Sequence, residues 1–234
     1  MYSGFRVKAP FFEIGPKAYL YGKAALDLAL EADRLCEEYD VDIIYTPQYV
    51  DIRMIADATR RLLVFAQHMD PLRTGRGIGS VLPEAVKAAG AKGVLLNHSE
   101  KKMTLSDLRM AISRADEVGL ATLVCADNLA EARAIAQFEP NIILAEPPEL
   151  IGSEHGAVEN RGYVKEINEA IRKINPAISI LHGAGIHGPK DVEDIVLLGA
   201  EATGCTSGII RAEDPVRSMR EMIRTLRETW DRTR

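Results

Sequence analysis

The chain has 234 residues, 47% of them hydrophobic, and a formal net charge of -5 from 29 basic and 34 acidic side chains. That length suits one large domain or two small ones and can bury a sizeable core, while the interspersed charge leaves no basic face for nucleic acid. The apolar runs are too short to span a bilayer, residues 1–6 lack the apolar stretch of a secretory signal, and Cys36, Cys125 and Cys205 have no CxxC spacing, so they read as reduced thiols of a cytoplasmic protein.

In chain order, apolar runs with the length of strands occupy residues 9–14, 41–45, 62–66, 93–96, 121–124, 142–145, 178–181 and 202–205. Short continuous apolar runs of this kind are expected of parallel strands buried on both faces. Segments of helical period lie between them. Residues 23–38 carry Ala25, Leu28, Ala29 and Leu35 on one stripe. Residues 105–118 open after Thr104, a suitable N-cap, and Asp127 or Asn128 caps the next segment, which ends near Gln137. Residues 164–174 and 189–198 are amphipathic, and residues 214–230 close the chain, with Pro215 suited to a first helical turn. Eight strands, each followed by a helical stretch, with no Ser/Gly-rich linker or shift in composition, predict a single-domain (β/α)8 barrel spanning residues 1–234. The rival is a doubly wound open sheet, which usually has fewer strands and carries a glycine fingerprint missing here after the first strand.

Both architectures place their chemistry at the carboxyl ends of the strands. The run Val94-Leu95-Leu96 ends abruptly in Asn97-His98-Ser99-Glu100, and Ile142-Ile143-Leu144-Ala145 ends in Glu146-Pro147-Pro148. An imidazole at one strand tip and a carboxylate at another form a candidate acid–base pair. A neutral His98 could polarise a carbonyl, and a nearby helix N-terminus would keep it neutral. Glycine turns follow the last three strands, at Gly152-Ser153, Gly183-Ala184-Gly185 and Ser207-Gly208. Turns of this kind let backbone N–H groups approach an anion, which predicts a phosphate site. Lys17, just past the first strand, could neutralise a phosphate or a developing oxyanion. His68 reads as a loop or interface residue, and His155, His182 and His187 have no metal-ligand spacing.

These features resemble the triosephosphate isomerase family, in particular its shorter archaeal branch. The resemblance runs over nearly the whole chain. It is carried by Thr46-Pro47-Gln48-Tyr49-Val50-Asp51-Ile52-Arg53-Met54-Ile55, Phe65-Ala66-Gln67-His68-Met69-Asp70, Val81-Leu82-Pro83-Glu84-Ala85-Val86, Leu96-Asn97-His98-Ser99-Glu100, Ala145-Glu146-Pro147-Pro148-Glu149-Leu150-Ile151-Gly152 and Gly183-Ala184-Gly185-Ile186. It implies His98 as the electrophile, Glu146 as the base, Lys17 as an electrostatic partner and Glu100 as a supporting carboxylate. A glutamate base with a neutral histidine is the arrangement described for triosephosphate isomerase itself. Ile151 and Gly152 would belong to a loop closing over the phosphate, and Gly183, Gly185, Thr206 and Ser207 would line its site. The implied substrate is a small phosphorylated sugar, with no metal or organic cofactor, and the implied assembly is a homodimer or homotetramer in which residues 67–79 reach a neighbour.

Three departures from the family pattern border the substrate. Gly15-Pro16-Lys17 stands where Asn-x-Lys is usual, Ser153-Glu154-His155-Gly156 follows Gly152, and Thr206 occupies a position where alanine is common. The Gly15 change would widen the space beside Lys17. The leading expectation is interconversion of glyceraldehyde 3-phosphate and dihydroxyacetone phosphate. The alternatives are isomerisation of a longer sugar phosphate, such as a tetrulose phosphate, and a sugar-phosphate-binding barrel without turnover.

Overall fold

Eight parallel strands close into a barrel in chain order, β1 through β8, with β8 returning to pair with β1. The computed structural model describes residues 1–147, 161–183 and 185–234. The strands are β1 (Phe11–Ile14), β2 (Asp42–Tyr45), β3 (Leu63–Ala66), β4 (Gly93–Leu96), β5 (Ala121–Ala126), β6 (Ile142–Ala145), β7 (Ser179–His182) and β8 (Ala202–Cys205). The helices are α1 (Gly22–Tyr39), α2 (Ile52–Ala58), α3 (Pro83–Ala88), α4 (Leu105–Val118), α5 (Leu129–Ala136), α6 (Arg161–Ile174), α7 (Pro189–Leu197), α8 (Ser207–Ile210) and α9 (Pro215–Thr233). The expected (β/α)8 barrel is therefore observed, and the strands fall within one or two residues of the apolar runs.

Successive side chains of a strand point to opposite faces, and this divides the core in two. Phe11, Ile44, Phe65, Leu95, Leu123, Leu144 and Leu181 fill the barrel interior. Phe12, Ile14, Ile43, Tyr45, Val64, Val94, Leu96 and Ile143 face outward into a second layer, against helix residues such as Ala25, Leu28, Ala29 and Leu35 of α1. Tyr45 also donates its hydroxyl to the Ala25 carbonyl at 3.0 Å, which satisfies the one polar atom of that side chain in the layer.

The helix starts follow the capping chemistry. Thr104 accepts from the Asp107 N–H at 3.1 Å, Asn128 from Glu131 at 2.9 Å and Asp214 from Arg217 at 3.0 Å. Each such cap contributes about 1 kcal/mol. Asn128, rather than Asp127, caps α5. Three elements have no counterpart in the sequence reading: α2 with seven residues, α3 with six and α8 with four. Helices this short complete too few turns for an amphipathic period to show, whereas the helices legible in the sequence run to eight residues or more.

The segment between β3 and α3 is tied at its base. Asp70 accepts from the Val81 N–H at 2.7 Å, and its own N–H donates to the Val81 carbonyl at 3.0 Å. Arg114 of α4, only 6% exposed, donates to the Leu72 carbonyl at 3.1 Å and pairs with Glu84 and Glu117. Ile78, at the tip of the same segment, is fully exposed. Among the described residues no helix is long and apolar enough to cross a membrane.

Candidate active site

The polar residues that follow β4 are held by Asn97. Its backbone is left-handed, with φ of 60°. Its side chain donates to the Cys125 carbonyl at 3.0 Å and accepts from the Met103 N–H at 3.1 Å. This double tether stitches the β4 tip to β5 and to the turn leading into α4, and it aims His98 at the barrel axis. The Glu100 N–H donates to His98 Nδ1 at 3.1 Å. Nδ1 is therefore the acceptor, and in the neutral ring the proton sits on Nε2. Nε2 lies 3.6 Å from Glu146 Oε2, longer than a good hydrogen bond, and both side chains are 14% exposed. Burial, and then the Lys17 charge, push the His98 pKa below its ordinary value. Desolvation, a neighbouring cation and one backbone amide thus favour the neutral ring.

Glu146 directly follows β6, and its N–H continues the ladder to the Ala126 carbonyl at 3.0 Å. Burial raises its pKa, and the charge of Lys17 opposes the rise. A desolvated carboxylate is a stronger base than a solvated one, and a nearby cation favours its ionised form.

Lys17 has a left-handed backbone, with φ of 48°. That conformation costs a non-glycine residue about 1–2 kcal/mol. Two amides hold it in place. Gln48 donates to the Lys17 carbonyl at 2.8 Å and Gln67 at 3.0 Å, while Gln67 also reaches the Thr46 carbonyl at 2.9 Å. The ammonium of Lys17 donates to Glu100 Oε1 at 2.6 Å, and this interaction lowers the Glu100 pKa. Glu100 is 64% exposed, so solvent screens the pair and its contribution is directional more than energetic.

These side chains line a cavity of about 240 Å³ that also includes Glu13, Gln48 and Thr206. It joins a second lobe of about 150 Å³, lined by Gly183, Gly185, Thr206, Ser207 and Arg211 and sharing Glu13, Lys17 and Glu146. Lobes of this size suit a molecule smaller than a drug-sized ligand. His98, Glu146, Lys17, Glu100, Gly183, Gly185, Thr206 and Ser207 therefore meet at the carboxyl end of the barrel, while Ile151 and Gly152 lie outside the described residues. His155 lies outside them as well. His68 is buried 3.3 Å from Asp70, and His182 is buried at 2.9 Å from Asn168 of α6 with its pKa lowered to about 4 by burial. Neither lines the cavity. Among the described residues no group of three or more His, Cys, Asp or Glu could hold a metal ion.

The triosephosphate isomerase family model matches residues 15–221. Relatives named triosephosphate isomerase include one from Methanothermus fervidus, 40% identical over 203 residues, covering 86% of this chain and 91% of its own. Another, from Methanobacterium bryantii, is 39% identical over 219 residues, covering 92% and 96%. A third, from Sulfurisphaera tokodaii, is 35% identical over 230 residues, covering 97% and 99%. The chain belongs to the triosephosphate isomerase family.

Glu13, Gln48, Gln67 and Arg211 line the cavity although the sequence reading did not single them out as site residues, and only one of them carried a local signal. That one is Glu13, a lone acid inside the apolar run Phe11-Phe12-Glu13-Ile14. Glu13 also changes the meaning of Gly15, the position at which this family member departs from Asn-x-Lys. A Cβ on Gly15 would sit 3.0 Å from Glu13 Oε1 and 3.3 Å from both Thr46 Oγ1 and Thr206 Oγ1. The wider space expected beside Lys17 is thus occupied by a carboxyl group and two hydroxyls.

Because Asn97 aims His98, replacing it with alanine is expected to lower kcat about tenfold or more and to destabilise the fold by about 2–4 kcal/mol. Two buried hydrogen-bond partners lose their mate, and alanine bears the left-handed strain. Asn97→Gly relieves the strain alone and recovers about 1 kcal/mol of that loss. Urea unfolding and turnover of the three proteins check this, and equal stability of all three would remove Asn97 from this role.

Proposed function

We propose that this chain interconverts glyceraldehyde 3-phosphate and dihydroxyacetone phosphate through an enediolate. The observation that carries the reading is the neutral His98 facing Glu146 across 3.6 Å, with Lys17 lining the same cavity. Glu146 removes the carbon-bound proton. The C–H electron pair becomes the C=C bond, and the carbonyl π electrons move onto oxygen. The Nε2–H of His98 donates to that oxygen, and the Lys17 ammonium offsets its charge. His98 Nε2 gives its proton to that oxygen and takes up the hydroxyl proton of the neighbouring one, and the protonated Glu146 then returns its proton to the neighbouring carbon, which completes the exchange of aldehyde and ketone. Every step is a proton transfer or a charge interaction that these side chains supply, so the mechanism calls on no metal or organic cofactor.

The phosphate end fits the second lobe, where Gly183, Gly185, Thr206 and Ser207 offer close backbone approach and Arg211 adds a cation. Ile151 and Gly152 would cover it. Closure over the site would exclude water and protect the enediolate. Assembly as a homodimer or homotetramer is part of the same proposal. The segment 67–79, tied at its base and ending in the fully exposed Ile78, offers the apolar contact.

The decisive experiment is turnover against a panel of aldose and ketose phosphates with a chelator present. Triose phosphates are expected to be the best substrates, with inorganic phosphate a competitive inhibitor. A tetrose phosphate preferred more than about tenfold in kcat/KM, a difference of about 1.4 kcal/mol, or no turnover of any substrate, would overturn the reading.

A further inference from the structure

Glu13 is a carboxyl group in a position where a barrel is apolar. Strand alternation turns it inward with Phe11, while Phe12 and Ile14 face the helices. Its neighbours in register are Ile44 of β2 and Gly204 of β8. It is 8% exposed, and among the described residues no cation pairs with it. An unpaired carboxylate at this depth is costly unless it carries a proton. Two glycines leave room for it. A Cβ on Gly15 would lie 3.0 Å from Oε1, and one on Gly204 would lie 3.0 Å from Oε2. The Thr46 hydroxyl fixes Oε1 at 3.0 Å. Glu13 lines both lobes of the cavity, at the point where a carbon chain running from the phosphate lobe to His98 and Glu146 would pass.

We propose that Glu13 is a substrate-contacting residue that, as a neutral carboxylic acid, donates a hydrogen bond from the barrel floor to an oxygen of the bound sugar phosphate. A protonated carboxyl has the one O–H donor that this needs, whereas an ionised one only accepts. Burial, reinforced by the charge of Glu146 and opposed by the Thr46 hydroxyl and Lys17, pushes the Glu13 pKa up to about 8. The other titratable or charged groups lining the two lobes are Tyr19, Tyr49, His98, Glu100, Lys101, His187, Cys205 and Arg211, with Cys125 of β5 beneath them. Burial raises both thiols, so they stay neutral through this range. Above about pH 8 Glu13 loses its donor and places a negative charge beside the developing enediolate.

The proposal rests on the isomerase reading, and the test separates the two. kcat/KM is measured from about pH 6 to about pH 10 for wild type, Glu13→Gln and Glu13→Met. The wild type is expected to lose activity as pH rises through about 8. Glu13→Gln keeps an N–H donor that does not ionise, so that limb disappears. Glu13→Met has no donor and loses about ten- to hundredfold at pH 7, the range of a hydrogen bond to a group gaining charge. Methionine suits an apolar interior, so this arm stays readable even if the glutamine variant fails to fold. Coincident wild-type and Glu13→Gln profiles, or full activity of Glu13→Met, would overturn the role of Glu13 alone. An inactive wild type would overturn the isomerase reading and, with it, this one.

Discussion

Replacing Glu146 with glutamine is expected to abolish isomerisation while leaving the barrel intact. The amide keeps the size of the side chain and loses its basicity. A positioned general base contributes about 10²–10⁴-fold in rate, and here the same group both removes and returns the proton, so the loss should lie at the upper end. Stability should not fall. Burial raises the Glu146 pKa above its ordinary 4.5 in the folded protein. A carboxyl shifted in that direction contributes stability that is fully present below 4.5 and is lost as pH rises through the folded value. Wherever it is ionised the buried side chain is therefore a burden that glutamine removes, and the melting temperature of the variant should equal or exceed that of wild type. Turnover and thermal unfolding at pH 7 check both halves. Residual activity above about a tenth of wild type, a barrier change of only about 1.4 kcal/mol, would remove Glu146 from the role of base.

Lys17→Met should cost about 10²–10³-fold in kcat, the usual consequence of deleting one preorganised donor aimed at a developing oxyanion. It should also move the acid limb of the pH–rate profile upward. Lys17 lowers the pKa of Glu146 and of His98, and it holds Glu100 below the carboxylate range. Without that charge, Glu146 takes up its proton at higher pH and the active base form is lost sooner on acidification. The backbone at residue 17 should stay in place, because Gln48 and Gln67 bind its carbonyl and not its side chain. A kcat within about tenfold of wild type together with an unmoved acid limb would show that Lys17 is a bystander.

The parallel barrel was legible because its strands are buried on both faces, so each stands out as an apolar run of strand length. The helix start at Thr104 was legible, and that of α5 to within the pair Asp127 and Asn128, because capping is a local hydrogen bond within three residues. The imidazole of His98 and the carboxylate of Glu146 were legible as polar groups ending apolar runs, and the family resemblance supplied their roles. In the folded protein they lie 3.6 Å apart.

The composition and order of the apolar runs thus determined the architecture and the strand ends at which chemistry would gather. Tertiary structure alone decided what surrounds each group there. In a four-residue strand with no polar face, nothing local says that Glu13 points inward, and only closure of the barrel sets it between Gly15 and Gly204. Lys17 meets Glu100 across 83 positions of sequence, and the glutamines that hold its backbone come from the ends of two other strands. The neutrality of His98 and the raised pKa of Glu146 both have burial as their largest cause. Desolvation depends on the atoms packed around a group from every side, a property that exists only once distant segments of the chain have come together.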